Sequence, residues 1–298
     1  MTNRNTTTED PRAIHPGPPF DEPRQRHRPG METEMRNKPD HGEESYQGHG
    51  RLKERVALIT GGDSGIGRAV AIAFAREGAH VAFGYLPKEE ADAKATVEWV
   101  EKAGRRVLAL PGDVRDEDWC RAMVEQTVSE LGRLDILVNN AAYQATHESI
   151  DEWSSKEWDH TFRTNIYSMY YLARAAFHVM KAGGVIVNTA SVQAYQPSGP
   201  LLAYATTKGA IVTFTKALAK LASEKGIRVN AVAPGPVWTP LIPSTMPAEK
   251  VEHFGQDGPL ARPAQPAELA PAYVFLASAE SSYVTGAVMD MTGGKMLP

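Results

Sequence analysis

A doubly wound α/β fold is what this sequence predicts: a Rossmann-type sheet of about seven parallel strands with helices on both faces. Three observations predict it. Short runs of consecutive apolar residues, the mark of strands buried on both faces, recur between Val56 and Met291. Stretches with helical spacing of apolar residues separate them, several closing on glycine. The first apolar run ends in a glycine-rich turn that opens a helix.

The elements follow in order. Val56–Thr60 is a strand ended by Gly61-Gly62, and a helix carrying Ile66, Val70 and Phe74 runs from there to Glu77-Gly78. His80–Tyr85 is the second strand, and a helix over 89–103 stops at Gly104. Residues 107–110 make strand three, Glu117–Leu131 a helix closing at Gly132, and 136–138 strand four. A long helix over 158–181 sets Phe162, Ile166, Tyr170, Ala173 and Phe177 on one stripe. Strand five is 185–187, followed by a helix over 203–223 and strand six at 228–233. After a proline-rich stretch, a helix over Pro266–Ala277 leads to a last strand, Val288–Met291.

Composition divides the chain and narrows its class. Only seven of the first fifty residues are apolar, against 42% of the whole, and seven prolines and five glycines share that stretch. Alone, such a segment cannot bury enough surface to offset its ordering entropy. Residues 1–50 are therefore expected to be a disordered extension or an arm, and 51–298 the catalytic domain. The 32 basic and 36 acidic residues leave a net charge of −4 with no basic stripe, which argues against nucleic acid. One cysteine, Cys120, excludes an internal disulfide and any CxxC metal or redox pair, so no metal is expected. No apolar run reaches eighteen residues and no signal-peptide core follows the N-terminus, so the expectation is a cytoplasmic protein with no membrane partner.

In such a sheet, ligands bind at the carboxyl ends of the strands. There the first strand runs into Thr60-Gly61-Gly62-Asp63-Ser64-Gly65-Ile66-Gly67. Gly61 allows a tight turn, Gly65 a close backbone approach to a pyrophosphate, and Gly67 close helix packing. The helix N-terminus offers free N–H groups to phosphate. Tyr204 and Lys208, at i and i+4 on one helix, share a face. An ammonium near a phenol lowers its pKa from about 10 toward neutrality, which suits proton exchange with an alcohol or carbonyl. Ser191, at the end of strand five, could hydrogen-bond the same oxygen.

The turn's spacing is GxxxGxG. With Asp113-Val114, Asn139-Asn140-Ala141-Ala142, Asn165, Ser191, Tyr204 through Lys208 and Pro234-Gly235, all in order, the sequence resembles the short-chain dehydrogenase/reductase family over residues 55–294. The tail and turn resemble a bacterial subgroup of general-stress or glucose-dehydrogenase-like oxidoreductases. The resemblance implies a nicotinamide cofactor and a small alcohol, aldehyde or ketone substrate. It implies Tyr204 as general acid/base, Ser191 orienting the reacting oxygen, and Lys208 lowering the tyrosine pKa while holding the nicotinamide ribose. Asn165 would fix a relay water, Asn139 and Ala141 would shape the adenosine side, and Asp113 with Val114 would meet the adenine. Pro234, Gly235, Val237 and Thr239 would lie at the nicotinamide. A dinucleotide-binding sensor or scaffold is the alternative, against which the full Ser191–Tyr204–Lys208 set argues.

The sequence departs from that family's pattern where strand two ends, at Tyr85-Leu86. Neither an acid, which would select NAD, nor an arginine, which would hold the NADP phosphate, stands there. Asp63 is the nearest acceptor for the ribose, so the cofactor reading leans to NAD, with NADP open; Asp63 as a simple helix cap is the other reading. Gln144, Gln193, Tyr195 and Trp238 are candidates for the substrate pocket, under a lid at 236–260. Tyr167, Tyr171 and Phe214 on the outer stripes of two helices suggest a homotetramer, with the arm lying over a neighbouring subunit.

Overall fold

The run Val-Ala-Leu-Ile-Thr forms β1 (Val56–Thr60), buried along its whole length in a computed structural model that describes residues 9–295. β2 (His80–Tyr85), β3 (Val107–Pro111), β4 (Ile136–Asn139), β5 (Val185–Thr189), β6 (Arg228–Pro234) and β7 (Val288–Met291) join it. The sheet order is β3-β2-β1-β4-β5-β6-β7, and every neighbouring pair is parallel. Alternation along β1 shows why the run had to be continuous. Ala57 and Ile59 face one core with α1 (Gly65–Arg76), while Val56 and Leu58 face the other with α3 (Glu117–Leu131). α2 (Glu90–Lys102) covers the first face, and the order reverses between β1 and β4, opening a crevice above their carboxyl ends.

The helix expected over 158–181 is three pieces: α4 (Ser155–Phe162), a π-helical turn at Arg163–Tyr167, and α5 (Ser168–Val179). Its buried stripe also lies one residue earlier than expected, through Thr161, Asn165, Met169, Leu172 and Ala176, and Tyr170 is exposed. The reason is polar. Thr161 and Asn165 turn inward to hydrogen-bond, while Ala173 remains buried and Ile166 and Phe177 pack at the edge of the core. α6 (Leu202–Ser223) packs beside α5 on the second face. Beyond β6, two short helices, α7 (Leu241–Thr245) and α8 (Ala248–Glu252), lie over the crevice, and α9 (Pro266–Ala277) closes the first face against α1. Among the described residues no helix is long and apolar enough to cross a membrane, and no cluster of side chains could hold a metal.

From residue 9 the arm lies along its own chain, through contacts that the expectation of an arm over a neighbouring subunit did not include. Phe20 stacks on Trp238 with ring centroids 4.1 Å apart, and Met35, Ile242 and Val251 complete a small apolar cluster. Buried carboxylates satisfy its backbone: Glu22 accepts from the amides of Arg36 (3.0 Å) and Asn37 (2.7 Å), and Glu77 from that of His49 (2.9 Å). Composition measures what the segment can bury by itself. The apolar surface that holds the arm belongs to residues 238–254.

Candidate active site

Gly67 is where the glycine turn meets its tightest constraint. A Cβ there would stand 1.8 Å from the carbonyl oxygen of Gly61, so only glycine lets α1 leave the sheet at this angle. Gly65 has φ +51°, and its missing side chain leaves room for Thr239 to lie over the turn. Thr60 Oγ1 accepts from the amides of Asn140 (2.9 Å) and Ala141 (3.0 Å), tying the ends of β1 and β4 together at the switch point.

One cavity of about 990 Å³ runs from this turn to α6. Gly61, Asp63, Ser64, Gly65 and Ile66 line one part, with Tyr85 and Leu86 at the end of β2 and Asp113 and Val114 after β3. Ala141, Gln144, Ser191, Gln193, Tyr204 and Lys208 line the other, with Pro234, Gly235, Val237 and Thr239 above them. Five expected site residues are elsewhere. Gly67 is spent on packing. Asn139 is buried in the sheet, donating to Asn188 Oδ1 at 2.9 Å; its neighbour Asn140 reaches the cavity instead. Trp238 is buried beneath Phe20 and donates to the Asn37 carbonyl at 2.8 Å, so it anchors the arm and meets no substrate. Tyr195 packs outside the cavity against the cluster of Ile211 and Val212. Asn165 also stops short: its amide donates to Tyr143 O (3.0 Å) and Thr207 Oγ1 (2.9 Å), and its Oδ1 accepts from Tyr143 N (2.7 Å). It braces the loop after β4 against α6, from a π turn that aims it there.

The catalytic end is buried. Tyr204 and Lys208 are buried, Ser191 lines the same cavity beside them, and Lys208 Nζ donates to Thr189 O at 2.7 Å. Lys208 Nζ lies 5.2 Å from the Tyr204 ring centroid. Burial takes both groups toward their neutral forms, pushing the phenol up to about 12 against the pull of Ser191 and the ammonium down to about 7. The expected lowering of the Tyr204 pKa by Lys208 is therefore not what this geometry gives. Desolvation outweighs the pairing, because the same burial that would strengthen a Lys208 charge also disfavours it.

The opposite end is acidic and crowded. Asp63 is buried with Oδ2 unpartnered, and burial, with Asp92 nearby, raises its carboxyl above the usual range. Glu89, which accepts from Leu86 N at 3.1 Å, is raised by burial and by Asp63. Asp63 does not cap α1; Ser64 holds the N-cap position. Arg68 ties the region together, donating to Asp63 O at 2.7 Å, to Asp92 O at 3.0 Å and to Glu32 of the arm. Glu32 in turn accepts from Gly65 N at 3.3 Å. Asp113 is committed to Arg115, whose Nη2 lies 2.5 Å from Oδ2, and this pairing holds its carboxyl low. Arg28, Glu32 and Arg68 escaped sequence reasoning. Only the GxGR run could have pointed to Arg68; the two arm residues had no local signal.

A switch-point crevice that ends in a buried hydroxyl–amine cluster puts this chain in the class of doubly wound dinucleotide-binding oxidoreductases. Comparison with known proteins narrows the class. A family profile described as Enoyl-(Acyl carrier protein) reductase matches residues 61–295, and the chain belongs to the short-chain dehydrogenase/reductase family. It is 52% identical over 269 residues to the uncharacterized oxidoreductase YhdF of Bacillus subtilis, covering 90% of this chain and 93% of that one. With the NADPH-dependent aldehyde reductase 1 of Arabidopsis thaliana it shares 46% identity, over 92% of this chain and 97% of that one. A short-chain dehydrogenase of Burkholderia cenocepacia, solved with NADP, superposes with a TM-score of 0.77 at 31% identity, covering 82% and 98%. The protein is thus an oxidoreductase that moves hydride between a nicotinamide cofactor and its substrate, and the sensor or scaffold alternative is not favoured.

Proposed function

We propose that the chain interconverts an alcohol with an aldehyde or ketone, with Tyr204 as general acid/base. The observation that carries this is the meeting of Ser191, Tyr204 and buried Lys208 on the wall of one cavity. Ser191 would hold the reacting oxygen, and Tyr204 would pass a proton to it or take one from it. Lys208, fixed by Thr189 O, would orient the ribose and supply the next proton. Asn165 keeps α6 in register with the loop after β4, so that Tyr204 and Ser191 meet. The name of the Arabidopsis relative supports an aldehyde as the carbonyl substrate. Gln193 lines the cavity, whereas the amide of Gln144 is held by Thr245 Oγ1 at 2.8 Å. Turnover of a panel of aldehydes and alcohols, followed by nicotinamide absorbance, tests the reading; no turnover with any carbonyl would sink it.

The residues suit a dinucleotide. Backbone at Gly65 and Ile66 faces the cavity at a helix N-terminus, and Asp63 Oδ2 is a buried acceptor without a donor. When bound, the nicotinamide ring supplies or accepts the hydride. Asp63 supports NAD, since a ribose diol would satisfy its oxygen while a 2′-phosphate would meet a carboxylate. Arg28 and Lys88 in the same cavity, with the NADP of the Burkholderia protein, favour the second reading, NADP. Dissociation constants for both dinucleotides, in wild type and Asp63→Asn, separate the two. An unchanged NAD-to-NADP ratio removes Asp63 as selector.

We also propose that residues 236–260 act as the substrate lid and that the chain assembles as a homotetramer. Exposed Tyr167, Tyr170 and Leu221 on the outer sides of α5, its preceding turn and α6 support the assembly. A monomer at micromolar concentration in sedimentation would refute it.

A further inference from the structure

Part of the cavity's mouth is made by the arm, a segment the glycine turn and the Tyr204 cluster do not require. Residues 28–30 line the cavity beside Leu86 and Lys88. Two anchors hold them there. On one side Phe20 stacks on Trp238. On the other, Glu32 pairs with Arg68 in the interior, and the amides of Glu32 and Thr33 donate to Asp92 at 2.7 and 2.9 Å. Between the anchors, the side chain of Gln25 donates to Met31 O and accepts from Met31 N, each at 2.7 Å. That pair pinches residues 26–30 into a closed loop.

The loop spans the mouth from wall to wall. Arg28 O accepts from Lys88 Nζ, just past β2. Arg28 Nη1 donates to Tyr143 Oη and to Glu157 Oε1, both at 3.1 Å, on the side of β4 and α4. Gly30 lies against the segment after β6, where a Cβ would fall 2.4 Å from the Pro240 carbonyl oxygen. The strap therefore touches three walls at once. Its tie to Lys88 sets it beside Leu86 at the end of β2, on the wall that continues to Asp113.

We propose that residues 28–30 complete the dinucleotide site by lying on its adenosine half, and that Arg28 is the latch that keeps them there. The proposal rests on the reading of this cavity as the cofactor site. A guanidinium held between two walls presents a flat cationic face to a nucleotide, a surface that lysine does not offer. A partly exposed ion pair contributes little to stability, but three ties must break before the strap swings aside. Its effect is on the rate at which a bound dinucleotide leaves.

Stopped-flow fluorescence with NADH and NADPH on the full chain tests this. Arg28→Ala should raise the release rate about tenfold and weaken the dissociation constant by a similar factor, with association near wild type. Lys88→Met should act in the same direction, more weakly. Hydrogen exchange at residues 26–31 should slow when either dinucleotide is added. Release within twofold of wild type in Arg28→Ala overturns the proposal. So does an equal rise in association and release, which would make the strap a gate without contact. A wild-type chain that binds neither dinucleotide would overturn the reading of the cavity itself, a different and recognisable failure.

Discussion

The two ends of the cavity solve the same problem with different materials. At the Tyr204 end, a hydroxyl, a phenol and an amine are brought together by the end of β5 and by α6, braced by Asn165, and burial drives the tyrosine up and the lysine down. At the Asp63 end, the carboxylates of Glu32 from the arm and Asp92 from α2, with the backbone carbonyl of Asp63, converge on one guanidinium, Arg68. The first end is built from one local stretch of fold. The second is assembled from segments far apart in sequence, and the arm's Glu32 reaches the amide of Gly65 itself. What the difference teaches is that chemistry here is carried by the sheet's own body, while the grip on the dinucleotide is shared with a segment outside it.

Breaking the chemical end should give the largest effect. Tyr204→Phe is expected to lower turnover by about a hundred- to ten-thousandfold while dinucleotide affinity stays within about twofold, because the hydroxyl moves the proton and the ring keeps the packing. Steady-state rates beside titrated binding check it; near-normal turnover would remove Tyr204 from its role.

Lys208→Met sharpens the comparison, since it should damage function and help stability. Lys208 has a folded pKa of about 7, below the ordinary 10.5, so the cost of burying its charge is complete below about pH 7. That cost fades as pH rises toward 10.5, where the amine is neutral folded and unfolded alike. The variant should therefore melt about 2–4 °C higher than wild type at pH 7 or below, corresponding to about 1 kcal/mol. The gain should vanish near pH 10, and turnover should be lost throughout. Melting scans without cofactor at the two pH values decide it; no gain at neutral pH would mean that the bond to Thr189 outweighs the burial cost.

The smallest effect is expected at the acidic end. Glu89 has its folded pKa raised, so the folded state holds a proton that the unfolded chain has released, and stability falls as pH climbs from 4.5 through the raised value. Glu89→Gln keeps the acceptor for Leu86 N and removes the titration. Its melting temperature should match wild type near pH 4.5 and exceed it by about 2 °C above the raised value. Parallel melting curves at all pH values would show that Glu89 is not the group responsible.

Periodicity and spacing carried the architecture because they report on nearest neighbours. Consecutive apolar residues such as Val56 to Ile59 have both faces to bury, so a parallel sheet between helix layers follows from the pattern alone. The same locality made the glycine turn and the Tyr204/Lys208 pair legible, since a turn or an i, i+4 face is a property of one short segment. Tertiary structure decided everything that depends on an encounter. Trp238 has the chemistry of a pocket residue, and only the position of Phe20 makes it an anchor. Asn139 and Asn140 are neighbours at the end of β4, and the last strand residue turns into the sheet while the first residue beyond it reaches the cavity. Lys208 should lower a neighbouring phenol by Coulomb's law, but the buried interior that decides the outcome is formed by elements scattered over the whole chain. The arm is the extreme case: residues 9–50, in a stretch too polar to fold alone, find their apolar partners and their buried cations only on a surface folded by the rest of the chain.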